Sequence, residues 1–261
     1  MQLPQLPIHT ACTLCPLHQT AKHVGIPGRW IPNTLPPSPG TPAVVFLGRN
    51  PDKTDNDWGE AFFGTRGKLL INGYIKGSGL DRLASCYALH TSRCFTPTDT
   101  PPNWKRHVKP CFPYTLSDLQ EIFSCHAASP APAVGIGASA TPPLTLGIPC
   151  VLPAKKSGKL AVVCLGGVAS QAFVGLALAE PRPDNQTESF RNNGREVEWC
   201  GFSLFLVHTY HPNYYLRTPS CATAIEDHMQ MLVDWINGKI VVPSEPKLVR
   251  PRMPNIPTFP N

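Results

Sequence analysis

A ten-residue stretch late in the chain combines ring and cationic side chains at a density that suggests chemistry. The sequence HTYHPNYYLR, residues 208–217, places two histidines, three tyrosines and one arginine around a single proline. His208, His211 and Arg217 would each need a polar partner if they were buried, so the mixture is unusual for a core. It predicts a loop in which imidazole, phenol and guanidinium groups meet a ligand.

Cysteine spacing gives a second candidate for chemistry, a metal centre. Cys12 and Cys15 form a C-x-x-C pair, and Cys94 and Cys111 bracket a proline-rich stretch. Four thiolates so spaced suit a [4Fe–4S] cluster, whose iron corners need one thiolate each, and they suit a structural zinc ion equally well. The remaining six cysteines are interpreted as unrelated buried thiols. They are Cys86, Cys125, Cys150, Cys164, Cys200 and Cys221.

Three apolar runs predict the buried parallel strands that would position these groups. The runs are residues 43–48, 160–167 and 202–210, and a loop with polar or glycine residues follows each of them. Apolar residues at helical spacing follow or separate the runs, which indicates an α/β fold. These predicted helices cover residues 67–80, 115–123 and 166–178.

A further helix is predicted near residue 225, where Thr223 and Glu226 have the spacing of a capping box. Its apolar stripe indicates packing against the core. The stripe consists of Ile225, Met229, Leu232, Trp235 and Ile236.

The length of 261 residues favours a single domain. We expect that domain to span residues 1–240, with a cluster-binding N-terminal segment and a long loop insertion at about 124–159. Residues 241–261 form a proline-rich tail, and the chain as a whole contains 31 prolines. Insertion and tail both have the composition of loop or disordered chain.

Charge and hydropathy restrict the partners. The chain has 23 Lys and Arg against 17 Asp and Glu, a net charge of +6 that is compatible with a polyanionic ligand. No apolar run approaches the roughly 20 residues of a membrane helix, and the first ten residues lack the features of a signal peptide. Without such a signal, the ten cysteines indicate metal or cluster ligation more than a disulfide framework. We expect a cytoplasmic monomer with no membrane partner.

Taken together, the motifs resemble one known family. CTLCPLH (12–18), GRNPDKTDNDWGEAFFGTRGKLL (48–70), the pair Cys94 and Cys111, LGGVASQAF (165–173) and HPNYYLR (211–217) occur in this order. In this order they resemble the iron–sulfur uracil-DNA glycosylases, family four of that superfamily. The resemblance covers most of the chain except the insertion and the tail.

The resemblance implies a fold and an activity. The fold is a three-layer αβα structure around a central, mainly parallel four-stranded sheet, with the site at the carboxyl ends of the strands. The activity is hydrolysis of a base–sugar bond in a nucleotide rotated out of double-stranded DNA or held in single-stranded DNA. The resemblance also favours a [4Fe–4S] cluster over zinc at Cys12, Cys15, Cys94 and Cys111.

Individual residues receive roles by position in the matching motifs. His211 would donate a hydrogen bond to the departing base, Phe62 would stack on that base, and Gly48 would let the backbone approach it. The motif after His211 would press on the duplex or hold phosphate. Its residues are Tyr214, Tyr215, Leu216 and Arg217. Outside this context, a turn at Pro212 with packed tyrosines and a core phenylalanine is the ordinary interpretation.

Two departures from the family pattern affect the chemistry. The family sequence G-E-A-P-G is replaced by Gly48, Arg49, Asn50, Pro51 and Asp52, so its acidic second residue is absent. Arg49 stays protonated and cannot act as a base. Asn50 occupies the position where other branches of the superfamily have an aspartate or asparagine that orients the attacking water. The resemblance therefore implies that role for Asn50, with Arg49 and Asp52 lining the substrate site.

The second departure concerns base recognition. An asparagine that reads uracil in the family is replaced by His90. Loss of one matched buried hydrogen bond costs about 1–3 kcal/mol, enough to weaken a preference for uracil tenfold or more. His90 is either a reader of a different base or a structural residue beside the cysteines. A modified cytosine or thymine-type base is thus as plausible a substrate as uracil, in DNA repair or in defence against phage DNA that carries such bases.

Three classes of function follow. The leading hypothesis is a monofunctional DNA glycosylase, because no lysine stands in a recognised Schiff-base motif. The second is an inactive DNA-binding protein of the same fold that recognises modified bases. The third is a redox or zinc protein on the same scaffold.

Overall fold

The structure, a computed structural model, describes residues 12–97, 100–127, 156–184, 189–190 and 193–239. Most of the predicted insertion and all of the predicted tail lie outside these residues. The ends of the insertion are corrected, since residues 124–126 close a helix and residues 156–159 open a strand.

A mixed sheet of six strands forms the centre of the α/β fold. The strands are β1 (Arg29–Trp30), β2 (Ala43–Gly48), β3 (Ser85–His90), β4 (Lys156–Leu165), β5 (Arg195–Trp199) and β6 (Phe202–Thr209). Their order across the sheet is β1-β3-β2-β4-β6-β5. The central four are parallel, and the edge strands β1 and β5 are antiparallel to their neighbours.

The two edge strands correct the expectation of a four-stranded sheet. They extend it without interrupting the parallel centre. The run SCYALH of β3 contains serine, tyrosine and histidine, so it is not a continuous apolar run even though every one of its residues is buried. That polarity is the reason an apolar-run criterion identifies only three of the four parallel strands.

Helices cover both faces of the sheet. They are α1 (Lys53–Trp58), α2 (Thr65–Leu69), α3 (Lys109–His126), α4 (Gly167–Ala172), α5 (Pro212–Arg217) and α6 (Ala222–Ile236). Helix α2 continues as a π-helical segment, Leu70–Lys76, and α4 continues as another, Phe173–Ala177. A third, Trp104–Val108, precedes α3. Single 3-10 turns occur at Pro16–Gln19, Leu80–Arg82 and Pro219–Cys221.

The core has two layers because alternate strand residues point to opposite faces. Val44 and Phe46 of β2 pack towards α2 and α6, whereas Val45 and Leu47 pack towards α3 and α4. Helix α6 buries the whole predicted stripe, Ile225 included.

The predicted cap of this last helix is wrong. Helix α6 begins at Ala222, so Thr223 lies inside it, and the N-cap Cys221 makes no side-chain capping bond. A capping box forms instead at α1, where Asp52 accepts from the amide of Asp55 and the Asp55 carboxylate accepts from the amide of Asp52. This box fixes the start of the helix that follows the first functional loop.

Two other expectations about single residues are corrected. His208 is a core residue of β6, 1% exposed, with Nδ1 2.9 Å from the hydroxyl of Ser170. The stretch 208–217 is thus a strand end followed by a short helix rather than one loop. Cys125 is exposed and Cys200 is in a disulfide, so neither is a buried thiol, and Cys150 lies outside the described residues. Cys86, Cys164 and Cys221 are buried as predicted.

Within the described ranges, no helix combines the length and the apolar character that crossing a bilayer would require.

Candidate functional site

The candidate site lies where the parallel strands of the sheet end. Arg49 and Asn50 follow β2, His90 is the last residue of β3, Gly166 follows β4, and His211 follows β6. Since the carboxyl ends of parallel strands share one edge of a sheet, these residues collect there although they are far apart in sequence. Ligands of open α/β sheets usually bind in this position.

Phe62 is held in a strained conformation at this edge. Its φ of 53° is in the left-handed region that a phenylalanine rarely adopts, and its side chain is buried. Its carbonyl oxygen accepts from Nη2 of Arg29 at 2.8 Å. A Cβ on Gly48 would lie 2.5 Å from Cζ of Phe62, so only a glycine at the end of β2 leaves room for this ring. Strain of this kind concentrates at functional sites.

The ring of His90 covers one face of Phe62. The two ring centroids are 4.5 Å apart and the planes differ by 12°. Nε2 of His90 lies 3.2 Å from Oδ2 of Asp55, and Nδ1 is buried with no hydrogen-bond partner among the described residues. Burial acts to raise the pKa of Asp55, but hydrogen bonds from His90 and from the amide of Phe63 outweigh it and lower that pKa below its usual range. The ionised carboxylate therefore accepts the Nε2 hydrogen, and Nδ1 is the ring atom of His90 that remains for another partner.

His211 has a tautomer that the backbone of the next helix fixes. It is the N-cap of α5, where Nδ1 accepts from the amide of Asn213 at 3.1 Å. Burial, with the positive charges of Arg49 and Arg66, lowers the pKa of His211 to about 3. The ring is therefore neutral near pH 7 and its hydrogen is on Nε2, which makes that atom a donor. Its centroid is 6.2 Å from that of Phe62.

Asn50 is oriented by the loop that contains the two later cysteines. It is 3% exposed, and Nδ2 donates to the carbonyl of Pro51 at 2.8 Å and to Oγ1 of Thr96 at 3.1 Å. These two bonds fix the amide so that Oδ1 remains an acceptor with no partner among the described residues. A buried acceptor of this kind is ready for a donor that the described residues do not supply.

A cavity of about 160 Å³ opens beside His211. Its wall combines two arginines with the glycines after β4 and the start of α5. The lining residues are Arg49, Leu165, Gly166, Gly167, Val168, His211, Asn213, Tyr214 and Arg217. A cavity of about 150 Å³ accommodates benzene, so a single aromatic ring fits this volume.

The structure brings the predicted site residues together but does not place them all on the cavity wall. Arg49, His211, Tyr214 and Arg217 line the cavity. Asn50, Phe62 and His90 lie buried at the same sheet edge and are not part of that wall.

The other predicted site residues have identifiable structural settings. Asp52 caps α1, and its Oδ2 lies 3.5 Å from Nε of Arg66. Tyr214 stacks on Tyr210 with centroids 5.0 Å apart, whereas Tyr215 is half-buried against the core. Tyr214, Leu216 and Arg217 are exposed on α5. Asp55 is the residue that the sequence interpretation missed, and its signal was the spacing Asp-x-x-Asp at the start of a helix.

The four cysteines of the predicted metal centre are neighbours. Cys15 and Cys94 share one small buried cluster. Burial raises the pKa of the Cys94 thiol, and the nearby Cys15 and Cys12 raise it further, while Cys94 and Cys15 have the same effect on Cys111. The Sγ atoms of Cys94 and Cys111 accept backbone hydrogen bonds from Gly25 at 3.4 Å and Arg93 at 3.2 Å.

These four cysteines would supply the thiolates of either a [4Fe–4S] cluster or a zinc ion. In the residues that the structure describes, no three His, Cys, Asp or Glu side chains converge closely enough to hold one metal ion. A zinc ion needs its thiolates about 2.3 Å from a common point, whereas a [4Fe–4S] cluster takes one thiolate at each separate iron corner. Backbone N–H groups directed at the sulfur atoms also suit a cluster, whose properties depend on such bonds.

Comparison with known proteins adds no assignment. The chain matches no model of a known protein family, and a search of curated proteins returns no match.

Proposed function

We propose that the chain is a monofunctional DNA glycosylase of the family-four uracil-DNA glycosylase type. It would hydrolyse the base–sugar bond of a non-canonical pyrimidine in an extruded or single-stranded nucleotide and leave an abasic site. The observation that carries this proposal is the fixed tautomer of His211. A neutral imidazole with its hydrogen on Nε2 stands at a cavity the size of one aromatic ring. The four parallel central strands with a site at their carboxyl ends also support it.

The leaving group is the first requirement of the chemistry. When the base–sugar bond breaks, its electron pair leaves with the pyrimidine, and negative charge develops on the oxygen of the base. A hydrogen bond from Nε2 of His211 would stabilise that charge, and Arg49 on the same cavity wall would add a positive charge. Because the ring is neutral, His211 can donate this hydrogen bond from Nε2 while Nδ1 accepts from the amide of Asn213.

The attacking water is the second requirement. Oδ1 of Asn50, which has no hydrogen-bond partner in the described part of the chain, would accept a hydrogen from water and direct the oxygen towards the sugar carbon. An amide is a weak base, but positioning is sufficient when a stabilised anionic leaving group makes bond breaking run ahead of attack. The water proton then passes to solvent, and the departed base anion takes a proton from solvent.

Base specificity depends on His90 in this proposal. With Nε2 bonded to Asp55, a neutral His90 would offer only an acceptor at Nδ1, whereas the asparagine of the family offers both a donor and an acceptor. If the ring moved to meet an extruded base, this acceptor would favour a base with an amino group, so a modified cytosine is a suitable substrate beside uracil or a modified thymine. Such an activity would serve repair, or defence against phage DNA with modified pyrimidines.

The cysteines have a structural part in the proposal. Cys12, Cys15, Cys94 and Cys111 would hold a [4Fe–4S] cluster, which when bound would cross-link the N-terminal segment to the start of α3. The loop between Cys94 and Cys111 contains Thr96, which accepts from Asn50. Arg93, in a buried ion pair with Asp118, braces the same region. The cysteines would therefore act on catalysis by positioning Asn50.

DNA is the partner of this site, and we propose that a monomer acts on it in the cytoplasm. The exposed residues Tyr214, Leu216 and Arg217 project from α5, the helix that His211 caps. In this position they would fill the space that an extruded nucleotide vacates or contact its phosphates.

A second candidate is a DNA-binding protein that recognises a modified base without removing it. The observation that favours it is the stacking of His90 on Phe62. A base could use that face of Phe62 only if the imidazole moved away. Asn50 and Phe62 also lie behind the cavity wall rather than on it.

The decisive experiment is a base-release assay. Purified protein is incubated in single turnover with oligonucleotides that carry uracil, hydroxymethyluracil or a modified cytosine at one position. Alkali then cleaves any abasic site, and mass spectrometry identifies the released base. We expect release from at least one substrate.

Two variants and a control make the assay specific. Asn50→Ala and His211→Ala should lose turnover while they still bind DNA, and Asn72→Ala, at an exposed position in the segment after α2, should behave as wild type. Intact strands with every base would remove the enzyme proposal. Tight, salt-sensitive binding in that case would favour the second candidate.

A further inference from the structure

Two exposed aromatic side chains next to the candidate site have no role in the chemistry described above. Trp58 is 67% exposed and Phe63 is 37% exposed, although both residue types are usually buried. Their rings stack on each other with centroids 4.9 Å apart and an interplanar angle of 28°. We refer to this pair as the aromatic platform.

The platform is held rigidly. Trp58 ends α1, and Gly59 reverses the chain behind it with a φ of 72°. The backbone amide of Phe63 donates to Oδ1 of Asp55 at 2.8 Å. The other oxygen of that carboxylate contacts His90, so one side chain fixes both the platform and the candidate site. A preorganised surface loses little conformational entropy when it binds a ligand.

Two lysines lie beside the platform. Nζ of Lys53 lies 2.9 Å from Oδ2 of Asp57, and Nζ of Lys22 donates to the carbonyl of Asp57 at 2.8 Å. The hydrogen bond from Lys53 and the nearby charges of Lys22 and His23 lower the pKa of Asp57. Two lysines thus lie beside Asp57, the residue immediately before Trp58.

The segment that contains the first two cysteines supplies one of these lysines. The amides of Lys22 and His23 both donate to Oδ1 of Asn56, at 3.0 and 3.3 Å. The ring of His23 packs beside Gly59, where a Cβ would lie 3.0 Å from its Nδ1. The chain that follows Cys15 is therefore docked against α1, and it places a lysine beside the exposed tryptophan.

We propose that the aromatic platform binds an unpaired base of DNA next to the nucleotide in the site, with Lys22 and Lys53 on the adjoining phosphates. Exposed aromatic faces flanked by cations form the usual surface for single-stranded nucleic acid, since every base has a face that can stack. The platform joins the end of α1 to the residue after Phe62, whose ring centroid lies 6.2 Å from that of His211 beside the cavity. The identity of the partner rests on the proposed function, but binding to the platform does not depend on base release.

The test measures binding of a single-stranded oligothymidylate through tryptophan emission. Trp199 and Trp235 are buried and Trp30 and Trp104 are half-buried, so Trp58 is the tryptophan most open to a stacked base. We expect the oligonucleotide to quench the emission of the wild-type protein and to leave that of Trp58→Phe nearly unchanged. Trp58→Ala should weaken binding about 10-fold to 100-fold, and Trp58→Phe should weaken it less because it keeps a ring.

A charge-removal series supplies an independent readout. Lys22→Ala with Lys53→Ala should reduce the slope of log affinity against log salt by about 1.4, since each phosphate contact on a single strand contributes about 0.7. Lys76→Ala, an exposed lysine after α2, is the matched control and should leave the slope unchanged. Thermal unfolding of each variant shows whether the fold is kept.

Several outcomes would overturn the inference. They are an unchanged oligonucleotide affinity in Trp58→Ala, an unchanged salt slope in the lysine variant, or a Trp58 emission that already indicates a covered ring in the free protein. None of these results bears on base release. Conversely, a protein that releases no base but shows the expected quenching would remove the glycosylase proposal and keep the platform.

Discussion

Nδ2 of Asn50 lies 3.1 Å from Oγ1 of Thr96, and this contact joins the loop after β2 to the loop between Cys94 and Cys111. The Thr96 hydroxyl donates in turn to the carbonyl of Thr100 at 3.0 Å. The amide of Asn50 is therefore oriented from the cysteine loop, which gives that loop a direct influence on the site.

Removal of this hydroxyl should impair turnover more than binding. In Thr96→Val the buried Nδ2 keeps one partner instead of two, at a cost of about 1–3 kcal/mol. We expect base release in single turnover to slow about tenfold, with DNA affinity changed less than twofold. Thr96→Ser keeps the hydroxyl and serves as the control. Equal rates in the valine and serine variants would show that the contact does not orient Asn50.

His211 gives a prediction that separates its chemical part from its helix-capping part. Asparagine is a good N-cap, so His211→Asn should preserve α5 while it removes the Nε2 donor. We expect base release to fall about 10²–10³-fold, as for loss of one oxyanion donor, with the melting temperature and DNA affinity little changed. His211→Ala removes both donor and cap and should also lower the melting temperature.

The same residue sets an expectation for pH. Because the pKa of His211 is about 3, the ring stays neutral as the pH rises from 5 to 8 and loses no proton over that range. The ratio of wild-type to His211→Asn rates should therefore be constant across it. A ratio that falls as the pH rises through 6 to 7 would mean that a protonated imidazole acts.

Gly67 should be intolerant of even the smallest side chain. A Cβ there would lie 1.6 Å from the carbonyl oxygen of Phe62, a backbone atom that cannot move without moving the strained residue. Alanine normally stabilises a helix interior by about 1 kcal/mol relative to glycine, yet Gly67→Ala should lower the free energy of unfolding. Gly77→Ala is the control, since its nearest atom would be 3.5 Å away. Urea titration of both variants measures the difference.

The cysteine centre can be tested by metal content. Anaerobically purified wild-type protein should be brown and contain iron, whereas Cys111→Ala should lose most iron, absorb little near the visible charge-transfer bands and unfold at lower temperature. Cys86→Ala removes an equally buried thiol outside the centre and should retain its iron. A colourless wild-type protein with stoichiometric zinc would show that the four cysteines form a zinc site and not a cluster.

Burial of His208 predicts a loss of stability in acid. Burial lowers its pKa in the folded protein to about 3, whereas an unfolded histidine has a pKa of about 6.5. As the pH falls below 6.5 the unfolded chain binds a proton that the folded chain excludes, so the free energy of unfolding decreases. This residue lowers the free energy of unfolding by up to about 1.4 kcal/mol for each pH unit, and the loss stops near pH 3, where the folded protein also binds the proton.

His208→Gln isolates that contribution. Wild type should lose stability faster than the variant between pH 6.5 and pH 4 in urea titrations. Parallel curves would mean that the imidazole is protonated in the folded protein.

The sequence alone determined the α/β class and the boundaries of β2, because a short apolar run between loops is typical of a buried parallel strand. It also determined the face that α6 buries, since a 3.6-residue period is a local property. It missed β3, where polar residues become buried through neighbours that are distant in the chain. The edge strands β1 and β5 were missed because pairing with another strand defines them.

For the site, residue types and motif order selected His211, Asn50, Phe62 and His90 as candidates, but not their relations. Only the tertiary structure decided that Asp55 holds His90, that Asn213 fixes the tautomer of His211, and that His208 belongs to the core. It also decided that the cavity borders His211 and Arg49 and that Asn50 and Phe62 lie behind it. The physical reason is that hydrogen bonds and pKa shifts depend on which groups meet across the sheet edge. Those meetings are set by the packing of whole elements and not by the spacing of residues along the chain.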